Sequence, residues 1–149
     1  MKKEFVMRGQ TASGQTEVLE FGGKQKETKG MAYRMTEFKL FGSTSLGNNN
    51  LELYATITAG KTAVTPTDPN FNNIGLIGTA HYNSSISHNI TLDTAIVNDT
   101  FLITQNIILM VIDVDGGAPV NWQCRFEAVK MTDAEEAATN YKQFSIFDE

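Results

Sequence analysis

The stretch Val120-Asn121-Trp122-Gln123-Cys124-Arg125-Phe126-Glu127-Ala128-Val129-Lys130 decides the fold class. Val120, Trp122, Cys124, Phe126 and Ala128 fall on one side of an extended chain, and Asn121, Gln123, Arg125 and Glu127 on the other. Such alternation belongs to a strand with one buried face. A helix, with its period of ~3.6, would scatter these side chains around its axis. The pattern recurs in residues 51–59, where Leu51, Leu53, Ala55, Ile57 and Ala59 share a face. It recurs in 34–41, with Phe38 and Leu40 inward and Glu37 and Lys39 outward. In 86–96 it sets Ile86, Ile90, Leu92 and Ile96, read as the buried face, against Ser87, Asn89 and Thr91.

Weaker strand patterns cover 4–8, 16–21 and 74–82. The segment 101–114 differs, because Ile107 to Ile112 is apolar on both faces. That predicts burial from both sides, in the middle of the fold or against another subunit. Strong breakers separate the runs: Gly22-Gly23, Gly42 to Asn50, Asp68-Pro69-Asn70, Asn98-Asp99 and Asp115-Gly116-Gly117. The last of these, running on through Ala118-Pro119, reads as a hairpin between the two final long strands. The count is about eight strands, which predicts an all-β chain, an antiparallel β-sandwich or single jelly roll. One short C-terminal helix is expected, since Thr132 and Glu135 form a capping box ahead of Ala137-Ala138. Residues 1–131 are read as the sandwich, and 132–149 as a helix and apolar tail of the same domain.

Composition narrows the function classes. The chain has 149 residues, 41% of them hydrophobic and only 19% charged, which is a globular balance and the size of one domain. Residues 1–39 carry eight Lys/Arg against five Asp/Glu, whereas residues 40–149 carry four against twelve. From Thr62 to Cys124 there is no Lys or Arg at all. Neutralising phosphates needs clustered cations, so direct nucleic-acid binding is disfavoured. The cluster Lys24, Lys26 and Lys29 reads as a solvated loop. No apolar run follows Lys2 and Lys3, so no signal peptide is expected. The longest apolar run, Ile107 to Ile112, is far short of the ~20 residues of a spanning helix.

Candidate chemistry is sparse. A two-residue turn at Ser84-Ser85 would set His81 opposite His88, but no third ligand joins them, so no metal site is assigned. Asp113 and Asp115 share a face where a strand enters a Gly-Gly turn, and the expected role is bonding turn N–H groups. Cys124, the single cysteine, alternates with Trp122 and Phe126 and reads as an inert core thiol. No phosphate-cradling loop or nucleophile elbow is present. The sequence therefore predicts no catalytic residues, no cofactor and no enzyme.

The strand number, the Thr/Asn/Gly-rich loops, the segment Tyr33-Arg34-Met35-Thr36-Glu37-Phe38-Lys39-Leu40-Phe41 and the closing strands 101–114 and 120–130 together resemble the single jelly-roll capsid proteins of small viruses. The resemblance spans roughly Phe5 to Met131. It implies a virion shell or surface subunit, made in the host cytoplasm, whose partners are copies of itself and other virion proteins. Many members of that family carry a long basic N-terminal arm, whereas this chain begins its first strand by Glu4 and is acidic. That departure fits a shell over an internal membrane or protein layer, or a decoration or spike. The alternative is a carbohydrate- or receptor-binding β-sandwich, such as a phage decoration, spike or fibre domain. Tyr33, Phe41, Tyr54 and Tyr82 would then be its outward aromatics. Apolar side chains in excess of one core face nominate Phe41, Ile108, Met110, Phe144, Ile146 and Phe147 as self-association residues.

Overall fold

The structure, a computed structural model, describes residues 3–21, 31–43, 50–60, 62–85, 90–132, 135, 138 and 139. Eight strands follow one another: β1 (Glu4–Thr11), β2 (Thr16–Leu19), β3 (Met31–Gly42), β4 (Leu51–Ala59), β5 (Leu76–Ser85), β6 (Ile90–Val97), β7 (Ile107–Asp113) and β8 (Val120–Lys130). They form two antiparallel sheets, one ordered β1-β8-β3 and one ordered β2-β7-β4-β5-β6. First pairs with last, second with seventh, fourth with fifth, while β8 lies beside β3 and β7 beside β4. This is a jelly-roll-like sandwich order. The departure is β6, which pairs with β5 alone. The edge of β3 instead receives a single bridge from Ile103 in the β6–β7 connection. Tyr33 N–H donates to Ile103 O at 2.9 Å, and Ile103 N–H to Tyr33 O at 2.7 Å.

The core lies between the sheets. From the three-stranded sheet come Met35, Phe38, Leu40, Val120, Trp122, Cys124 and Phe126; from the five-stranded sheet come Leu53, Ala55, Ile57, Ile77, Leu109 and Val111. A β-bulge between Met35 and Glu37 shifts β3 by one residue, so that Met35 and Phe38 both point inward. One end of the sandwich is closed by aromatics. Phe5 stacks on Phe126 at 5.5 Å, and Phe21 meets Phe126 edge-on at 4.9 Å. Tyr33 joins them and is half-buried, not outward as expected. Trp122 is 8% exposed, and its indole N–H donates to Thr11 Oγ1 at 2.9 Å.

Three expectations are corrected. The Asp115 to Pro119 connection is not a hairpin, because β7 and β8 lie in different sheets. Both edges of β7 are already taken by β2 and β4, and both edges of β8 by β1 and β3, so the chain must arch from one layer to the other. Gly117 in that arch and Gly14 in the β1–β2 arch have φ of 69° and 83°, which an L side chain would adopt only under strain. Ser84 and Ser85 are not a turn but strand residues opposite Thr91 and Ile90, so His81 faces Thr94; His88 lies outside the described residues. Leu92 and Ile96 are not buried: they are 59% and 57% exposed. Their neighbours in register are Asn83 and Thr79, on the outer face of the sheet.

The two-sided strand reading of 101–114 resolves into β7 alone. Ile107, Leu109 and Val111 are fully buried, whereas Ile108, Met110 and Ile112 are half-buried on the outer face. At the C-terminus Glu135 N–H donates to Thr132 Oγ1 at 3.2 Å, the N-cap bond that a capping box predicts, and the Thr132 hydroxyl donates to Glu135 Oε1 at 3.0 Å. Glu135, Ala138 and Thr139 are helical; the remaining helix positions and the tail with Phe144, Ile146 and Phe147 lie outside the described residues.

Candidate functional site

The outer faces of the two sheets are chemically unlike. Register places Arg34, Glu127 and Glu4 in one row of the three-stranded sheet, Glu37, Arg125 and Val6 in the next, then Lys39, Gln123 and Arg8. Acids and bases are mixed across this face: Glu127 lies between Arg34 and Glu4, Arg125 lies beside Glu37, and the third row holds two cations and no acid. The five-stranded sheet differs. Its rows read Val18, Ile108, Thr58; then Thr16, Met110, Thr56, Thr79, Ile96; then Ile112, Tyr54, His81, Thr94; and last Glu52, Asn83, Leu92. Glu52, in the end row, is the one carboxylate of these rows. None of its five strands contains Lys or Arg, whereas β1, β3 and β8 carry Arg8, Arg34, Lys39, Arg125 and Lys130.

Part of this neutral face is covered by the chain itself. The connection after β4 folds back over it: Thr56 Oγ1 donates to Val64 O at 2.6 Å, and Val64 N–H to Thr58 Oγ1 at 3.3 Å. Both threonines are buried as a result. The same connection presents Phe71 and Ile74, 62% and 58% exposed. Between Phe71 and the strands runs a cleft of about 250 Å³, lined also by Leu76, Thr79, Ile96 and Asn98. With Val18 at 56%, Leu92 and Ile96, these residues form the apolar part of the face.

At the centre of the face the Tyr54 ring stacks on His81, with centroids 4.4 Å apart and planes within 4°. The Tyr54 hydroxyl donates to Glu52 Oε1. That hydrogen bond, then burial, then the carboxylate charge hold the phenol above the usual tyrosine range. His81 Nε2 is buried with no hydrogen-bond partner among the described residues. Burial likewise pushes the Cys124 thiol up.

The nominated residues do not all come together. Ile108 and Met110 lie on the neutral face, two residues apart on β7. Phe41 is 54% exposed but belongs to the outer face of the other sheet, at the flank where its ring meets Tyr82 at 5.9 Å. Tyr82 is buried, so of the four aromatics read as outward only Phe41 and Tyr54 are on outer faces. Asp113 is 4% exposed and serves its turn: Oδ1 accepts the N–H of Asp115 at 3.1 Å and of Gly116 at 3.3 Å, and Oδ2 that of Ala118 at 3.0 Å. Among the described residues no three His, Cys, Asp or Glu side chains converge as metal ligands. No helix of the described residues is long and apolar enough to cross a membrane. The alternation pattern missed Val18, Phe71, Leu92 and Ile96; the usable signal was the cation-free composition of five strands.

No family model and no curated protein matches the sequence. Among solved structures the chain is similar to one described as a Nora virus structure, with 13% identity and a TM-score of 0.35 over 88% of this chain. The chain spans 59% of the length of that solved chain.

Proposed function

We propose that this chain is a virion structural protein, a shell subunit that works by repeated association with copies of itself and with other virion proteins. The observation that carries the reading is the segregation of charge: all strand Lys and Arg lie on one sheet, and the outer face of the other carries a single carboxylate, Glu52, among polar and apolar side chains. Water solvates a charged face at no cost, whereas apolar side chains held in water favour a covering partner. Covering Val18, Leu92 or Ile96 contributes about 1.5–3 kcal/mol each at full burial, set against the entropy lost on association. The sandwich supplies a rigid brick, and the neutral face supplies a contact surface that can be repeated.

The cations of the other sheet argue against genome contact. They are few and share the face with Glu4, Glu37 and Glu127, so no extended basic stripe forms. The reading therefore assigns the chain to a layer held by protein–protein contacts. Size-exclusion chromatography with negative-stain microscopy of the purified full chain tests it. Closed shells or large regular oligomers are the expected result, and they should persist at about 1 M NaCl, where surface ion pairs are screened. A chain that stays monomeric at every protein concentration, in low salt and in sulfate alike, refutes it.

A further inference from the structure

Strand β6 ends the five-stranded sheet and pairs only with β5, in an unbroken register from Gly78↔Val97 to Ser85↔Ile90. Every side chain from Thr91 to Ile96 is exposed, whichever face it points to. Of the opposite sheet β6 approaches β3, but it forms no ladder with it. An edge strand offers a row of unpaired N–H and C=O groups, and stable monomers blunt such edges with Lys, Pro, bulges or very short strands. The sequence Ile90-Thr91-Leu92-Asp93-Thr94-Ala95-Ile96-Val97 has no Lys, no Pro and no bulge. The other edges are more heavily managed: β2 has four residues, β1 carries two charges, Glu4 and Arg8, against the single Asp93 of β6, and β3 is bridged by Ile103.

We propose that β6 is an intersubunit edge, pairing antiparallel with β6 of a second copy about a two-fold axis through Thr94, so that two five-stranded sheets become continuous. The proposal rests on the self-association reading for its biological role. The occupant follows from parity and charge. A two-fold axis normal to the sheet keeps outer face with outer face, so directly opposed residues differ by an even number. Centring on Asp93 would set two carboxylates against each other, which is destabilising. Centring on Ala95 would set Leu92 against Asn98 of the partner subunit and pair only residues 93–97, whereas centring on Thr94 pairs residues 91–97 and leaves only Ile90 beyond the paired run. Centring on Thr94 sets Leu92 against Ile96 of the partner subunit, and Ile96 against Leu92 of the partner subunit. It sets Thr94 against Thr94 of the partner subunit and Asp93 against Ala95 of the partner subunit. Apolar meets apolar, hydroxyl meets hydroxyl, and the acids are kept apart.

Disulfide trapping tests this on the full chain, in which the native thiol of Cys124 is buried and silent. Thr94→Cys, Asp93→Cys and Ala95→Cys are compared under a mild oxidant on non-reducing gels. Only position 94 opposes itself within the Cα separation a disulfide tolerates, so Thr94→Cys should cross-link about tenfold faster or more. Equal rates at all three positions, or no dimer at 94, overturn the proposal. All three sites are exposed, and far-UV circular dichroism checks that each variant folds. Thr94→Lys sets like charges across the axis and should abolish the dimer while keeping the fold; an unchanged dimer also overturns the proposal. Shells that form without a Thr94→Cys cross-link overturn the β6 pairing and leave the shell reading standing. A cross-linked dimer that never grows supports the pairing and overturns the shell reading.

Discussion

Replacing Asp113 probes the arch that carries the chain from one sheet to the other. Its carboxylate accepts two well-formed N–H bonds, from Asp115 at 3.1 Å and Ala118 at 3.0 Å, and two longer ones, from Gly116 at 3.3 Å and Glu52 at 3.4 Å. The Glu52 bond ties the arch to the start of β4, and the Asp113 N–H is bound by Ser13 Oγ at 2.8 Å, which ties it to the β1–β2 turn. Net hydrogen bonds to a charged group contribute about 1.5–3 kcal/mol each. Counting only the two short ones, near the lower end of that range, Asp113→Ala should cost about 3–4 kcal/mol. That is a large part of the ~5–15 kcal/mol available to a domain. With a urea m-value near 2 kcal/mol/M, the midpoint should fall by ~1.5–2 M. Asp113→Asn keeps Oδ1 as an acceptor but turns an amide N–H toward Ala118 N–H, and should lose about half as much. Urea unfolding followed by Trp122 fluorescence reads both. A loss below ~1 kcal/mol for Asp113→Ala, or a larger loss for Asp113→Asn, would show that the carboxylate is not the staple of the arch.

Phe126→Ala should cost about 3–5 kcal/mol, because it empties the centre of the Phe5, Phe21 and Tyr33 cluster, whereas Phe126→Leu should cost clearly less; thermal melts read the difference. The Cys124 thiol should resist a thiol reagent in the native protein at pH 8 and react fully once the chain is unfolded in urea. Its pKa is raised on folding, so its contribution to stability is intact below the unfolded thiol pKa and is lost as pH rises above it. Chemical melts should weaken from pH 8 to pH 10.5 more in wild type than in Cys124→Ala, with Tyr54 and Tyr82 acting in the same direction in both. Val18→Lys, at an exposed site of the neutral face, should change folding stability by less than ~0.5 kcal/mol yet block large oligomers in sedimentation velocity.

The sandwich was legible because its strands alternate. Residues 51–59 and 120–130 needed no tertiary information, since the apolar side chains that name the strand also name its buried face. The same rule misplaced β6. Ile90, Leu92 and Ile96 alternate like a core strand, but which face of a strand is inner is set by its register on the neighbouring strand, and that register turns Leu92 and Ile96 outward. The Asp115 to Pro119 arch failed for a related reason: turn residues fix a local reversal, while the strands already bound to β7 and β8 decide whether it joins neighbours or crosses the core. Ile108 and Met110 were legible as surplus apolar residues, because β7 exceeds what one face can bury. Phe71 lies in a connection with no period, so nothing local marked it.

The cation-free stretch acquires its meaning from the pairing order. Charge is segregated along the chain, and folding converts that into segregation between layers, because β5, β6 and β7 all derive from the cation-free stretch and all join one sheet. β2 and β4, drawn from outside it, add no Lys or Arg. Pairing of β6 with its copy about an axis normal to the sheet would then keep both neutral faces on one side and both charged faces on the other. Subunits joined in this way form a two-sided layer, solvated on one side and in want of cover on the other. The charged side mixes acids with its few cations, and the strands of the other side offer phosphate no Lys or Arg. The partner that suits such a layer is another protein surface, and if so Val18→Lys and Thr94→Lys should fail differently. The edge variant should leave no β6 dimer, whereas the face variant should leave β6 dimers that grow no further. Identical species from the two variants in sedimentation velocity would show that edge and face are not separate contacts.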